Sequence, residues 1–546
     1  MKRRIFLSVL LALVCVMCCS MAYAASEPVY GGVVKWHEVA NPPKLDPQYA
    51  TDTTSDRVIL CLFDTLVTNS LDGQKIVPWL AESWQVSKDN LVWTFKLRKG
   101  VHFHKTTEGG KPTANGGREV TAADWKWTFE QLIRGKSPRA YFVDCIKGYD
   151  EMTAGKSKEW IGIKALDKYT LQFTLKEPFA PFLSVLAYSA FVVVPKEDVT
   201  KWGKDFNFHP VGTGAFVFDS WKQDQKVVLK KNPNYWRRDS KGRKLPYLDE
   251  WQMVVIPDGT VAWEEFKKGN VDIMRDLPDR NVAEGRKLLG KSLLEGPQPG
   301  TYYYGFNVEK KPFKDNQKLR QALNYAVDRD KINKLVLEGL WYPAKGVLPP
   351  SMPGFNKNLK GYNYNPQKAK QLMKEAGYPN GFEATLYVNE NVRHKAVAEA
   401  IQAQVSDLGI HLNIKMMDWG VLLDLLDRGE SQMYRMGWVV DYLDPDNFLY
   451  VNLHSSNAGA KGNYSFYKNP EVDKLLTAGR LETNPAKRIK LYQKAEQMIV
   501  DDAPWLFLFY YYNNIATQKY VHNVTLPAFG DYTAPMDEVW VDRKAK

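Results

Sequence analysis

Gly437-Trp438-Val439-Val440-Asp441-Tyr442-Leu443-Asp444-Pro445-Asp446-Asn447-Phe448 joins the end of a strand to the start of a helix. The apolar stretch from Gln432 to Val440 predicts the strand. Asp444 followed by Pro445 predicts an N-cap with proline at the first helical position, where its missing N–H costs nothing. That accounts for Asp444 but not for Asp441, which lies between the strand end and the turn. Two readings of Asp441 stand at this point. It bonds its own turn backbone, or it is a carboxylate set at a strand terminus to receive a cation.

Working outward, the same alternation continues. Helices are predicted from Gln317 to Leu337, Pro366 to Ala376, His394 to Leu408, Val421 to Arg428 and Pro485 to Asp501, with strands from Ala384 to Asn389 and Leu412 to Met416 between them. Toward the N-terminus come an extended segment Gly32–Trp36, a helix from Ser55 to Asn69, strands at Leu91–Leu97, Tyr169–Leu175 and Lys226–Leu229, and a helix from Ala122 to Arg134. That last helix opens on Thr121-Ala122-Ala123-Asp124, much like a capping box. Strands alternating with helices argue an α/β build with mixed sheets.

The chain has 546 residues, 44% hydrophobic and 25% charged, a folded composition with room for three or four domains. Its first residues read as a secretory signal peptide: Lys2-Arg3-Arg4, an apolar run from Ile5 to Cys19, and Ala22-Tyr23-Ala24, with cleavage expected after Ala24. The apolar core is short of the ~20 residues a membrane span needs. A lipid-anchored alternative would use Cys15, Cys18 or Cys19, which follow Val, Met and Cys where a small residue is wanted. Cys61 and Cys145 would remain, either as a disulfide or as buried thiols. Three of the +12 net charges leave with the signal, and the rest are scattered among acids. No basic-aromatic stripe supports nucleic-acid binding.

Patterns that suggest chemistry are few. Gly285-Arg286-Lys287-Leu288-Leu289-Gly290-Lys291-Ser292 fits the P-loop expression, but Asp279 to Leu289 reads as an amphipathic helix running through it. His102 and His104 alternate on one strand face, yet two ligands make no metal site. Neither HExxH nor GxSxG occurs, so nothing local argues catalysis and no cofactor or metal is expected.

Several stretches, taken in order, carry a resemblance. They are Leu45-Asp46-Pro47; Val77-Pro78-Trp79-Leu80-Ala81-Glu82-Ser83-Trp84; Trp93 to His104; Val120-Thr121-Ala122-Ala123-Asp124; Pro210 to Phe216; Asn232-Pro233-Asn234-Tyr235-Trp236; Phe306-Asn307; Leu319-Arg320-Gln321-Ala322-Leu323; and Gly437 to Pro445. Together they resemble the extracytoplasmic solute-binding proteins of ABC importers, family 5, in the dipeptide- and oligopeptide-binding group. The resemblance implies a bilobal α/β clamshell of the periplasmic-binding-protein type that hinges shut over its ligand. Lobe I would comprise 25–72, 196–295 and 505–546, with 73–195 as an extra subdomain. Lobe II would be 296–504, with crossings near Pro297–Tyr304 and Pro504–Tyr512.

The resemblance also implies a role: a non-enzymatic, periplasmic, monomeric carrier that delivers short peptides to inner-membrane permease subunits, and through them to an ATPase. Gly437, Trp438 and Val439 would pair with the peptide backbone, and Asp441 would receive its α-ammonium. Trp419 would line a side-chain pocket. Thr51 and Thr53 lie in the matching cleft loop, Tyr303 on the first crossing, and Arg393 or Lys395 would hold the ligand carboxylate. The alternative keeps the fold and carries a nickel chelate, haem, glutathione, an oligosaccharide or an opine, none of which explains a carboxylate at 441 unless it bears an amine.

Overall fold

The computed structural model describes residues 27–73, 75–530 and 533–543; the signal-peptide reading falls outside them. An eleven-stranded mixed sheet organises the chain. Ten of its strands are labelled here with the four strands of a second sheet, all in chain order. They are β1 (Val33–Glu38), β2 (Ala81–Val86), β3 (Val92–Leu97), β4 (Ile163–Asp167), β5 (Thr170–Thr174), β6 (Phe216–Lys222) and β7 (Lys226–Lys231). Then come β8 (Glu250–Val255), β9 (Ile273–Arg275), β10 (Leu293–Phe306), β11 (Glu383–Asn389), β12 (His411–Met417), β13 (Met433–Val439) and β14 (Trp505–Thr517).

The large sheet runs β6-β7-β8-β1-β9-β14-β10-β13-β11-β12. Its two halves meet at β10 and β14, which pair antiparallel from Leu293 opposite Ala516 to Gly305 opposite Trp505. These are the two segments that the resemblance marks as crossings. β14 reads Trp-Leu-Phe-Leu-Phe-Tyr-Tyr-Tyr and is buried almost throughout, as a central strand covered on both faces must be. The β10–β14 ladder shifts register between Pro297 and Thr301. Pro297 and Pro299 have no N–H to give a ladder there.

The smaller sheet, β2-β3-β5-β4, packs against the helix Ala122–Arg134, with Phe95, Phe129 and Phe173 meeting edge-to-face. The helices used here are α1 (Thr53–Leu62), α2 (Ala122–Arg134), α3 (Asp279–Leu289), α4 (Gln317–Ala326), α5 (Arg329–Val336), α6 (Val392–Ser406), α7 (Trp419–Asp427), α8 (Pro445–Leu453) and α9 (Pro485–Asp502). The capping box of α2 is present: the Thr121 N–H donates to the Asp124 carboxylate at 2.8 Å.

Two predicted helices differ from what forms. The span from Gln317 to Leu337 breaks into α4 and α5, because Val327 turns extended and Asp328 caps a new helix at the Lys331 N–H. The helix expected from Ser55 to Asn69 stops at Leu62. There the Leu62 carbonyl accepts the Gly214 N–H at 2.9 Å, and Val67–Asn69 joins a hairpin with Ile76–Pro78. α3 runs helically through Gly285 to Leu289, so the P-loop expression is only a helical coincidence. His104 is buried, with its ring between the Gly212 N–H and the Gly214 carbonyl. Burial lowers its pKa to about 4, so the ring is a neutral structural group. Cys61 and Cys145 are both buried free thiols, not a disulfide, and burial pushes the Cys61 thiol up to about 12. No helix among the described residues is long and apolar enough to cross a membrane.

Candidate functional site

Between the start of α1, the 138–141 segment, β13 and α7 lies a cavity of about 440 Å³. Of the residues singled out in the sequence, Thr51, Thr53, Trp419, Gly437, Trp438, Val439 and Asp441 line it.

One wall is built around α1. Asp52 caps that helix, accepting the Ser55 N–H at 3.0 Å and its hydroxyl at 2.7 Å. One turn on, Asp56 accepts the Ser189 hydroxyl at 2.6 Å, and burial carries its pKa up to about 7. Arg139 comes from a separate segment. Its Nε donates to the Ala50 carbonyl at 3.3 Å, and its guanidinium lies over the Tyr188 ring, 5.5 Å from the centroid. Burial alone would discourage its charge. The Tyr188 hydroxyl, Asp441, Tyr141 and Asp56 reverse that, so Arg139 stays cationic.

β13 forms the opposite wall. One edge is fully paired to β10, from Gly300 opposite Val439 to Phe306 opposite Met433. The other meets β11 only at Met433 and Tyr434. Among the described residues, Met436 to Val439 therefore present a strand edge to the cavity with no strand beside it. Gly437 is required there: a Cβ at that position would stand 1.9 Å from the Tyr511 hydroxyl.

Past the strand, the buried Asn447 fixes Asp441. Asn447 Oδ1 accepts the Asp441 N–H at 2.9 Å and the Trp438 indole N–H at 3.1 Å, while its Nδ2 donates to the Asp441 carboxylate at 3.0 Å. Asn447 sits on α8, whose cap is as predicted. Asp444 accepts the Asp446 N–H at 2.9 Å and is held in turn by a two-pronged Arg488 at 2.6 and 2.7 Å. Burial raises the Asp441 pKa, opposed by Arg139, Asn447 and the Tyr188 hydroxyl.

Sequence reasoning missed Arg139, Asn447 and Arg435. Arg435 lines the cavity and is 7% exposed. Its guanidinium donates to Asn389 at 3.2 Å and the Tyr511 hydroxyl at 3.1 Å, and lies 4.6 Å above the Tyr302 ring. Its Nε has no partner, and no carboxylate among the described residues pairs with it. The only local signal was a cation inside a strand of otherwise apolar and aromatic residues.

Arg393, Lys395 and Tyr303 lie outside the cavity lining. Arg393 forks onto Asp279 at 2.7 and 3.1 Å and reaches Asp276 at 3.3 Å. Its charge is already spent on two carboxylates. Lys395 is exposed, 3.8 Å from Glu399 on its own helix. Tyr303 is buried with its ring stacked 3.5 Å from that of Trp505.

The sequence model of the bacterial extracellular solute-binding proteins, family 5 (Middle), matches residues 75–460. The chain belongs to this family. Among family 5 relatives, the dipeptide-binding protein of Escherichia coli is 33% identical over 504 residues, 90% of this chain and 91% of that protein. Heme-binding protein A of Haemophilus influenzae is 35% identical over 457 residues, 82% of this chain and 81% of that one. Among solved structures, the ABC transporter-associated periplasmic binding protein DppA of Helicobacter pylori, in complex with the peptide STSA, superposes with a TM-score of 0.84. Its identity is 30%, covering 94% of this chain and 99% of that one. The family 5 fold is bilobal and α/β, and here the cavity is lined by β13, the strand paired to β10.

Proposed function

We propose that this solute-binding protein captures short peptides with free termini in the cleft and hands them to the permease of an ABC importer without transforming them. The carrying observation is the pairing of an open strand edge, Met436–Val439, with a carboxylate at its end, Asp441. An unpaired edge offers N–H and C=O groups to any peptide backbone, giving affinity independent of side chains. Asp441, oriented by Asn447, answers the α-ammonium. Arg435 answers the α-carboxylate in place of Arg393 or Lys395.

Six positions separate Arg435 from Asp441, on the order of 20 Å at ~3.3 Å per residue, and this span less the reach of the two side chains suits a ligand of three to about five residues. The relatives named above bind a dipeptide, haem and a tetrapeptide by their descriptions. Haem has carboxylates but no amine, and so leaves Asp441 without a purpose.

Lobe I is assigned to 25–72, 196–295 and 505–546, with the 73–195 subdomain, and lobe II to 296–504. The protein is proposed to be periplasmic, exported by a signal cleaved near Ala24, and monomeric. A thermal-shift screen across tri-alanine, glutathione, haem, a nickel chelate and an oligosaccharide tests the ligand class. Tri-alanine is expected to raise the melting temperature, since a ligand that binds only the folded state stabilises it. A shift with a non-peptide alone would overturn the reading.

A further inference from the structure

The cavity extends beyond the groups that a peptide backbone and its two termini would use. Trp419, Leu423 and Asp427, each four residues apart, form the face of α7 that lines it, while Leu422 and Leu426 on the adjoining face are buried in the core. Ala460, Lys461, Gly462 and Tyr464 line the same cavity.

Asp427 is poorly placed for its own helix. It is the last helical residue of α7, where the carbonyl ends of the helix disfavour negative charge. Asp424 repels it from one turn back, and burial further raises its pKa, with the Tyr464 hydroxyl acting against that rise. Its Oδ1 is buried with no hydrogen-bond partner. Arg428 acts weakly on Asp427, and the neighbouring cations also serve other acids. Arg428 forks onto Glu430 at 2.8 and 3.1 Å, and Lys461, exposed on the facing rim, lies within electrostatic reach of Asp144. A buried carboxylate oxygen without a donor is costly unless something supplies one.

We infer that Asp427, beside Tyr464 and two turns along the cavity face from Trp419, is a specificity-determining residue that receives a lysine or arginine side chain of the bound peptide. The apolar stem of such a side chain would lie along Leu423 and the Trp419 ring. Its cationic head would face the Asp427 carboxylate and the Tyr464 ring. The inference rests on the peptide reading above and names a ligand class within it: peptides carrying a positive side chain in addition to the α-ammonium.

Calorimetry with a tri-alanine scaffold tests it, placing lysine or its uncharged analogue norleucine at each of the three positions in turn. At one position lysine is expected to bind at least tenfold tighter than norleucine. Asp427→Asn is expected to cut that ratio below about threefold while leaving tri-alanine affinity unchanged. Asp427→Lys is expected to reverse the preference toward a glutamyl peptide at the same position, which guards against a merely structural effect of the first variant. Equal binding of lysine and norleucine at all positions, or a preference that survives Asp427→Asn, would overturn the inference and leave the peptide reading standing. Failure of every peptide, tri-alanine included, would overturn both.

Discussion

Asp441→Asn isolates the proposed ammonium contact. The substitution keeps the shape of the side chain, and the new amide can still accept from Asn447 Nδ2 through its oxygen. What it removes is the charge. An ion pair at ~4 Å in an effective dielectric of 20 is worth about 4 kcal/mol, and losing one partner of a desolvated pair costs about 2–5 kcal/mol. Arg139 already neutralises part of the Asp441 charge, so the lower half of that range applies. A loss of about 2–3 kcal/mol corresponds to roughly 30- to 150-fold in Kd.

The assay is calorimetry of tri-alanine and N-acetyl-tri-alanine against wild type and variant, with a melting curve of each ligand-free protein as a folding control. Acetylation is expected to weaken binding to wild type by the same factor as the substitution. On Asp441→Asn it is expected to add little, because the two changes delete one interaction. Independent, multiplying losses, or an unaffected wild-type affinity for the acetylated peptide, would refute the assignment.

The same logic applies to Arg435→Gln with C-terminally amidated tri-alanine: a loss of about 10- to 100-fold is expected, with amidation and substitution overlapping, and an additive pair removes Arg435 from the carboxylate site. Arg393→Gln is expected to lower urea-unfolding stability by about 3 kcal/mol, because Asp276 and Asp279 lose the charge of its guanidinium, while peptide affinity stays within about threefold. Unchanged stability with a large affinity loss would return Arg393 to the ligand. Burial raises Asp46 to about 6, and Asp56 and Glu496 to about 7, so between their ordinary values near 4 and these values the folded protein holds more protons at these three sites than the unfolded chain does. Each contributes stability that is lost as pH rises through that window, whereas buried His104, held near 4, works the other way below about 6.5. The melting temperature of the Asp56→Asn, Glu496→Gln variant minus that of wild type is therefore expected to rise from pH 5 to pH 8, and a difference that stays flat or falls contradicts it.

Local signals carried further for elements than for contacts. Asp444-Pro445 announced α8, and Thr121 to Asp124 announced α2, because caps are settled within a turn of the chain. Asp441 stood out as a carboxylate that either bonds its own turn or receives a cation. Its partners were hidden. Asn447 reads as an ordinary helix residue, and Arg139 comes from 302 positions away in the sequence. Arg393 misled for the same reason. A cation at the start of a helix looks available until Asp276 and Asp279, more than 110 residues earlier, are brought against it. The breaks at Leu62 and Val327 also had distant or subtle causes: a glycine turn at 214 in one, and a cap competing with a continuous helical pattern in the other.

The most direct test of the central claim is a crystal structure of the protein with tri-alanine bound. We expect the peptide backbone paired to the Met436–Val439 edge, its ammonium within hydrogen-bonding distance of Asp441 and its carboxylate facing Arg435. A peptide bound elsewhere, or seated in the cleft with its ammonium turned away from Asp441, would contradict the claim.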